Sequence, residues 1–359
     1  MARAGVLGTT AFVKTGHPPG SGGFDWIAVV LSVWFVGGIY LDGWAHRHVP
    51  QLESFFTPWH AVFYSAFLAV AGFLVAAAVR NHAQGYPWRA ALPAGYELCL
   101  WGALIFAVGG VGDLLWHTLF GIEVDVEALL SPTHLLLALG LALIVTGPLR
   151  AGCSHSEELQ NWLRRLPMVI SLALVLSVLT FMTQYAHPLV IPWASFRIPE
   201  PVAQNTPVYR DIVFHHTAEG VLNVLVQTGL LMGLVLVTLR RSKWSLPWGS
   251  LTLLFTLNAA FVAVLDHTYR LIPVAVFGGI VADVLLHRLR PSPQRPSAVR
   301  LFAFLAPALL YLVYFLTLII TEGLVWLVHV WTGAIVQAGI TGWLISYLVL
   351  APQVQTAER

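Results

Sequence analysis

Residues 41–69 read LDGWAHRHVPQLESFFTPWHAVFYSAFLA, and residues 112–142 read GDLLWHTLFGIEVDVEALLSPTHLLLALGLA. Each stretch is the end of one apolar run, a polar turn and the start of a second apolar run. That is the pattern of two membrane-crossing helices joined outside the bilayer. Polar residues recur at matched places. Asp42-x3-His46 corresponds to Asp113-x3-His117 near the end of the first helix. Glu53-x3-Thr57-Pro58-x-His60 corresponds to Glu127-x3-Ser131-Pro132-x-His134 at the start of the second. The connecting turns differ by three residues, and elsewhere the match is only apolar. The pattern reads as a duplicated helical hairpin.

The rest of the chain has the same character. Of 359 residues, 57% are hydrophobic and 10% are charged, with a mean hydropathy of +0.75. A soluble protein carries roughly 25% charged residues, so a soluble globular enzyme, a disordered chain and a nucleic-acid binder are excluded. Apolar runs of spanning length fall at about 24–45, 58–79, 97–119, 131–148, 166–186, 213–238, 247–266, 270–287, 301–321 and 329–350. The expected fold is all-α, a polytopic integral membrane helix bundle of about ten transmembrane helices. The expected order is a cytoplasmic tail (1–23), the two hairpins as spans 1–4 (24–148) and a cytoplasmic loop (149–165). Spans 5–8 follow (166–287) with a long loop at 187–212, then an Arg/Pro-rich cytoplasmic loop (288–300), spans 9 and 10 (301–350) and a tail (351–359). Two cysteines, Cys99 and Cys153, offer no disulfide framework, and four Met exclude a Met-rich soft-metal relay.

Lys and Arg set the orientation. Fifteen fall on the side of the two termini, and only Arg47, Arg197, Arg210 and Arg270 fall on the other. The excess marks the cytoplasmic side, so both termini are expected in the cytoplasm of a prokaryotic plasma membrane. Ten of the 14 His and eleven of the 17 acidic residues gather on the opposite side, a formal −7 there against +9 inside. A negative, imidazole-rich rim concentrates cations. Helix ends attract polar residues in general, which accounts for the acids but not for the His.

The matched spacings have chemical content. Residues i and i+4 share a helix face, so each Asp and His can converge on one ion. The second His sits at the third position of the next helix, behind a Thr or Ser suited to the N-cap and a Pro suited to the first turn. Asp42, His46 and His60, with Asp113, His117 and His134, are therefore the candidate metal ligands. Carboxylate with two imidazoles suits copper(II), zinc or iron, with copper the first choice. Glu53 and Glu127 are candidates for completing the shell or moving protons. Gly109, Gly110 and Gly112 would allow close helix contact. A lone Asp-x3-His at a helix end is more often a hydrogen-bonded pair, and Asp283-x3-His287 is read that way. Weaker metal candidates are His187, His215, His216 and Glu219, around the long 187–212 loop. The apolar segment Pro188 to Trp193 is expected as a lid at the membrane interface.

The Asp-x3-His arrangement with a His on the next helix, carried here by Asp42, His46 and His60 and again by Asp113, His117 and His134, resembles the metal site in the C subunit of particulate methane and ammonia monooxygenases. The resemblance covers the motif rather than all ten spans. The spacing to the second His is longer here, and duplication is a departure. It implies copper bound in a membrane domain and a possible oxygen-activating oxidoreductase. The residues themselves leave four readings open: such a metalloenzyme, a metal-ion handling protein or transporter, a haem-binding electron carrier, and a structural subunit. The implied partners are the lipid bilayer, a small apolar substrate or a metal ion, and further membrane subunits, with no nucleic acid.

Overall fold

Thr57, Thr206 and Ser131 each open a helix in the same way. The side-chain oxygen accepts the backbone N–H three residues on, at 3.1, 3.2 and 3.4 Å, and a proline follows at the first helical position. Proline has no N–H to lose there, and its fixed φ suits the helix. The structure, a computed structural model, describes residues 14–49, 56–121, 125–154, 162–198, 206–243 and 246–350. Among them the helices are α1 (Gly22–His48), α2 (Pro58–Ala83), α3 (Glu97–Phe120), α4 (Asp125–Leu130), α5 (Pro132–Val145) and α6 (Gly147–Ser154). They continue as α7 (Trp162–Met182), α8 (Pro207–Arg241), α9 (Ser250–Leu265), α10 (Ile272–Leu289), α11 (Pro296–Thr321) and α12 (Val328–Val349). No strand occurs among the described residues, and the fold is an all-α bundle of the membrane-spanning type.

Nine helical segments among the described residues are long and apolar enough to cross a bilayer, α5 and α6 counting together as Pro132–Ser154. The seventh expected span is shorter than its sequence reading. α9 has 16 residues, about 24 Å at 1.5 Å per residue, against a hydrocarbon core of about 30 Å. Gly249 at φ +85° starts it, and His267 at φ +55° lies just past its end, where left-handed backbone cannot continue a right-handed helix. Bilayer length is not required of α9, because α1, α7 and α10 pack around it and bury Leu254, Ala259 and Val262.

α8 also differs from its reading: it begins at Pro207 rather than 213, because Thr206-Pro207 repeats the cap chemistry of the hairpins. The described part of the long loop, up to residue 198, is tucked into the protein rather than spread at an interface. Val190 and Ala194 are buried, Tyr314 donates to the Pro188 carbonyl at 3.0 Å, and Val325 N–H donates to Ala194 at 2.8 Å. At the far end of α11, Glu322 takes the Arg270 guanidinium at 2.7 Å and the Ser195 hydroxyl at 2.8 Å.

α1 packs along α2, and α3 along α5; the two hairpins meet through α2 with α3 and α1 with α5. α7 runs through the middle, buried over Pro167–Val169 and Ser171–Val178, and joins the hairpins to α8–α12. Small residues set the closest approaches. A Cβ on Gly102 would stand 2.7 Å from the Gly140 carbonyl, and one on Gly140 would stand 2.7 Å from the Phe106 nitrogen. Close backbones are how membrane helices gain packing energy without a hydrophobic drive between them.

Candidate metal centre

Both predicted ligand sets assemble. Asp42 Oδ2 lies 3.7 Å from His46 Nε2 and 3.5 Å from His60 Nε2. Asp113 Oδ1 lies 3.5 Å from His117 Nε2 and 3.1 Å from His134 Nε2. Within each triad the ligand atoms fall within 4.8 Å of one another. Ligands at about 2.0–2.2 Å from one ion stand about 3–3.5 Å apart, so either triad needs only a small contraction to hold a metal.

The surroundings of the second triad fix its rings. α3 ends at Gly121, whose φ of +87° is open to glycine, and whose carbonyl lies 3.2 Å from His117 Nδ1. A carbonyl only accepts, so Nδ1 carries a proton, and Nε2 is the ring nitrogen turned toward Asp113. His134 Nδ1 lies 2.7 Å from Ser131 Oγ, the same hydroxyl that caps α5. Thr133 donates to Asp113 Oδ1 at 3.2 Å. Imidazole nitrogens and a carboxylate oxygen thus face each other across 3.1–3.5 Å, as the donor atoms of a metal site do and as hydrogen-bonded His–Asp pairs do when a proton lies between them.

The first triad has the same cap, Thr57 on the His60 N–H, but Trp59 stands where the second has Thr133. A cavity of about 640 Å³ touches Asp42, His46 and His60 of one triad and Asp113 and His134 of the other. Its rim carries Arg47, which pairs with Asp266 at 2.5 Å and donates to Gln184 at 3.1 Å.

The match between hairpins extends beyond the ligands. Gly38 precedes Asp42 by four residues as Gly109 precedes Asp113. A Cβ on Gly38 would meet Phe63, three residues after His60, and one on Gly109 would meet Leu137, three after His134. Phe35 and Phe106, each seven residues before its Asp, touch edge to face with centroids 4.9 Å apart. Gly112 faces Thr133 of α5, and Gly110 faces Tyr64 of α2.

The other candidates are not drawn into these triads. Glu53 lies outside the described residues, and Glu127 is exposed on α4. His187 is buried in the inner turn, His216 stacks on Trp193 with centroids 4.3 Å apart, and Glu219 is exposed. His215 is exposed and lies 3.5 Å from Asp211, another Asp-x3-His pair whose spacing alone would have picked out Asp211. Asp283 is no metal candidate, but neither is it the expected hydrogen-bonded partner of His287: its carboxylate caps α9, accepting from Leu251 and Thr252 N–H at 3.2 and 2.8 Å and from the Thr252 hydroxyl at 2.6 Å, while His287 Nδ1 lies 2.9 Å from the Asp283 backbone carbonyl. Packing partners that sequence did not signal are Thr133, Tyr64 and the Arg47–Asp266 pair.

Compared with protein-family models, curated proteins and solved structures, the chain gives no match.

Proposed function

We propose that the chain is an integral membrane metalloprotein in which each triad holds one metal ion, and that copper bound there serves oxidative chemistry on a small apolar molecule reached from the lipid. The observation that carries this reading is the pair of convergent Asp/His/His sets, in which the Gly121 carbonyl holds His117 Nδ1 and leaves Nε2 facing Asp113. Zinc and iron fit the same donors, and the motif-level resemblance to copper membrane monooxygenases favours copper. A bound metal would supply Lewis acidity and, as copper, one-electron chemistry. The chain's own part is local. Asp42 and Asp113 supply charge, the imidazoles set the approach, and Thr133 and Ser131 hold the second set in place. Ile39, Phe63, Leu137 and Phe181 give the shared cavity an apolar wall opposite its polar lining. Glu127, exposed beside that region, is the described candidate for proton exchange with the outside.

The two hairpins are read here as copies. Matched glycines meet matched neighbours, and Phe35 meets its own counterpart Phe106, as equivalent residues do near a two-fold axis. The Lys and Arg bias of the loops supports both triads at the outer face and both termini in the cytoplasm. Transport is less well supported. It would need a second ligand cluster at the opposite end, where Asp283 is committed to the α9 cap, and no third group of three or more candidate ligands occurs among the described residues.

Elemental analysis of detergent-purified protein tests the reading. Two ions per chain are expected, with one lost on Asp42→Ala with His46→Ala and the other on Asp113→Ala with His117→Ala. No stoichiometric metal, or metal unchanged by both double variants, would overturn it.

A further inference from the structure

The cavity of about 640 Å³ serves both triads, since Asp42, His46 and His60 line it together with Asp113 and His134. Ligand side chains are open to it: those of His46 and His134 are each 21% exposed, and that of Asp42 is 15% exposed. Among the described residues, the charged side chains on its lining are Asp42, Asp113, Asp266 and Arg47, and Arg47 pairs with Asp266. With the imidazoles neutral, three negative charges and one positive leave the lining at −2. One monovalent ion in each triad brings that to zero, and one divalent ion in each brings it to +2. The donor set has this consequence because a single carboxylate per triad cancels only half of a divalent charge. Charge left uncompensated inside a helix bundle is costly. The divalent form of the cavity therefore attracts an anion, and the metal-free form repels one.

Size and the remaining lining narrow the anion. Pockets of about 300–1,000 Å³ hold molecules of drug size, so a halide or hydroxide would leave most of this space unfilled. Ile39, Phe63, Leu137 and Phe181 offer that space apolar surface. We infer that the metal-loaded cavity binds one amphiphile with a carboxylate head and an apolar body, of the free fatty acid class, and that the valence of the ions in the triads sets its affinity for the head. Carboxylate oxygen is a donor that copper(II) and zinc both accept, and the body gains by leaving water for the apolar lining. The inference rests on the metal reading and narrows its apolar molecule to one with an anionic end.

Octanoate carrying carbon-13 at both ends, titrated into the full chain in non-ionic detergent and followed by NMR, tests it. The metal-free, zinc(II), copper(I) and copper(II) forms are compared, with the metal content of each measured alongside. The zinc(II) form is expected to bind octanoate saturably. The metal-free and copper(I) forms should bind it weaker by roughly tenfold or more, the scale of one lost contact to a charged group. Acetate, which lacks the body, should bind the zinc(II) form weaker by roughly tenfold or more, and octan-1-ol should be indifferent to loading. In the copper(II) form the carboxyl carbon should broaden more than the methyl carbon, because the head lies at the ions. Two charge variants at the rim, neither of them a ligand, test the sign. Arg47→Gln should weaken octanoate and Asp266→Asn should strengthen it, each by up to about fivefold, the scale of one partly exposed charge. Octanoate bound equally by the metal-free and zinc(II) forms would overturn the inference and leave the metal reading standing. So would acetate or octan-1-ol matching octanoate in the zinc(II) form, or rim variants that leave its affinity unmoved or shift it the other way. A chain that takes up no stoichiometric metal would overturn both.

Discussion

The two triads use one ligand frame and support it differently. Asp113 is 2% exposed and held by Thr133, and its two imidazoles are oriented by Gly121 and Ser131. Asp42 is 15% exposed and has Trp59 where Thr133 would stand, with Arg47, Gln184 and Asp266 gathered at the cavity beside it. Ligand identity says what a site can hold; the groups behind the ligands say how firmly. Asp113 is the carboxylate with a hydroxyl behind it, and Asp42 is the more accessible of the two. A chelator is therefore expected to remove metal from Asp42, His46 and His60 first.

The sharpest way to break that contrast is to remove the support. Thr133→Val keeps shape and deletes the hydroxyl on Asp113, and should weaken metal binding at the second triad by about 10–100-fold, the usual effect of an outer-shell partner. Trp59→Phe at the matched position should leave the first triad nearly unchanged. Chelator competition followed by elemental analysis reads both, and equal losses would erase the contrast. A smaller effect is expected from packing. Gly38→Ala places a Cβ 2.9 Å from the Phe63 Cα, where backbone must shift, whereas the first neighbour of Gly109→Ala is at 3.1 Å. Overpacking costs about 1–3 kcal/mol, so both variants should melt lower in detergent, Gly38→Ala more so. The smallest effect is a control on acid stripping. Burial raises the Glu322 pKa, but the hydrogen bonds from Arg270 and Ser195 and the Arg270 charge outweigh it and hold the pKa below the usual 4.5. A depressed pKa contributes stability above the unfolded value, lost as pH falls through the folded one. Glu322→Gln should flatten the melting temperature below about pH 4.5, while metal loss from the triads keeps its own pH profile. An unchanged acid limb would remove this ion pair from the account.

What was legible in the sequence was local. A cap, its proline and the His at the third helical position lie within four residues, and Asp-x3-His lies within one turn, so helix geometry alone puts those groups on one face. The same locality made Asp283-x3-His287 resemble the triads, and only the rotation of α10 against α9 turned its carboxylate into a helix cap. Contacts between helices left no such trace. Thr133 reads as an ordinary residue of an apolar run until α5 is set against α3, and Arg47 reads only as one of four basic residues on the outer side until α1 ends beside Asp266. The shortness of α9 was hidden for a related reason: composition records apolar length, and the left-handed His267 depends on what the chain must do next. Asp211-x3-His215 is visible in the letters, but no Pro-x-His follows it to supply a third ligand.

Each triad draws on a short, continuous piece of chain, residues 42–60 in one case and 113–134 in the other. During biogenesis the third ligand is placed by a cap that forms within its own first turn, and the other two come from the helix threaded just before. A site can thus be closed as soon as two neighbouring helices are in the bilayer, before later parts of the chain have been synthesised. Loading with metal would then proceed hairpin by hairpin along the nascent protein, without waiting for the rest of the bundle.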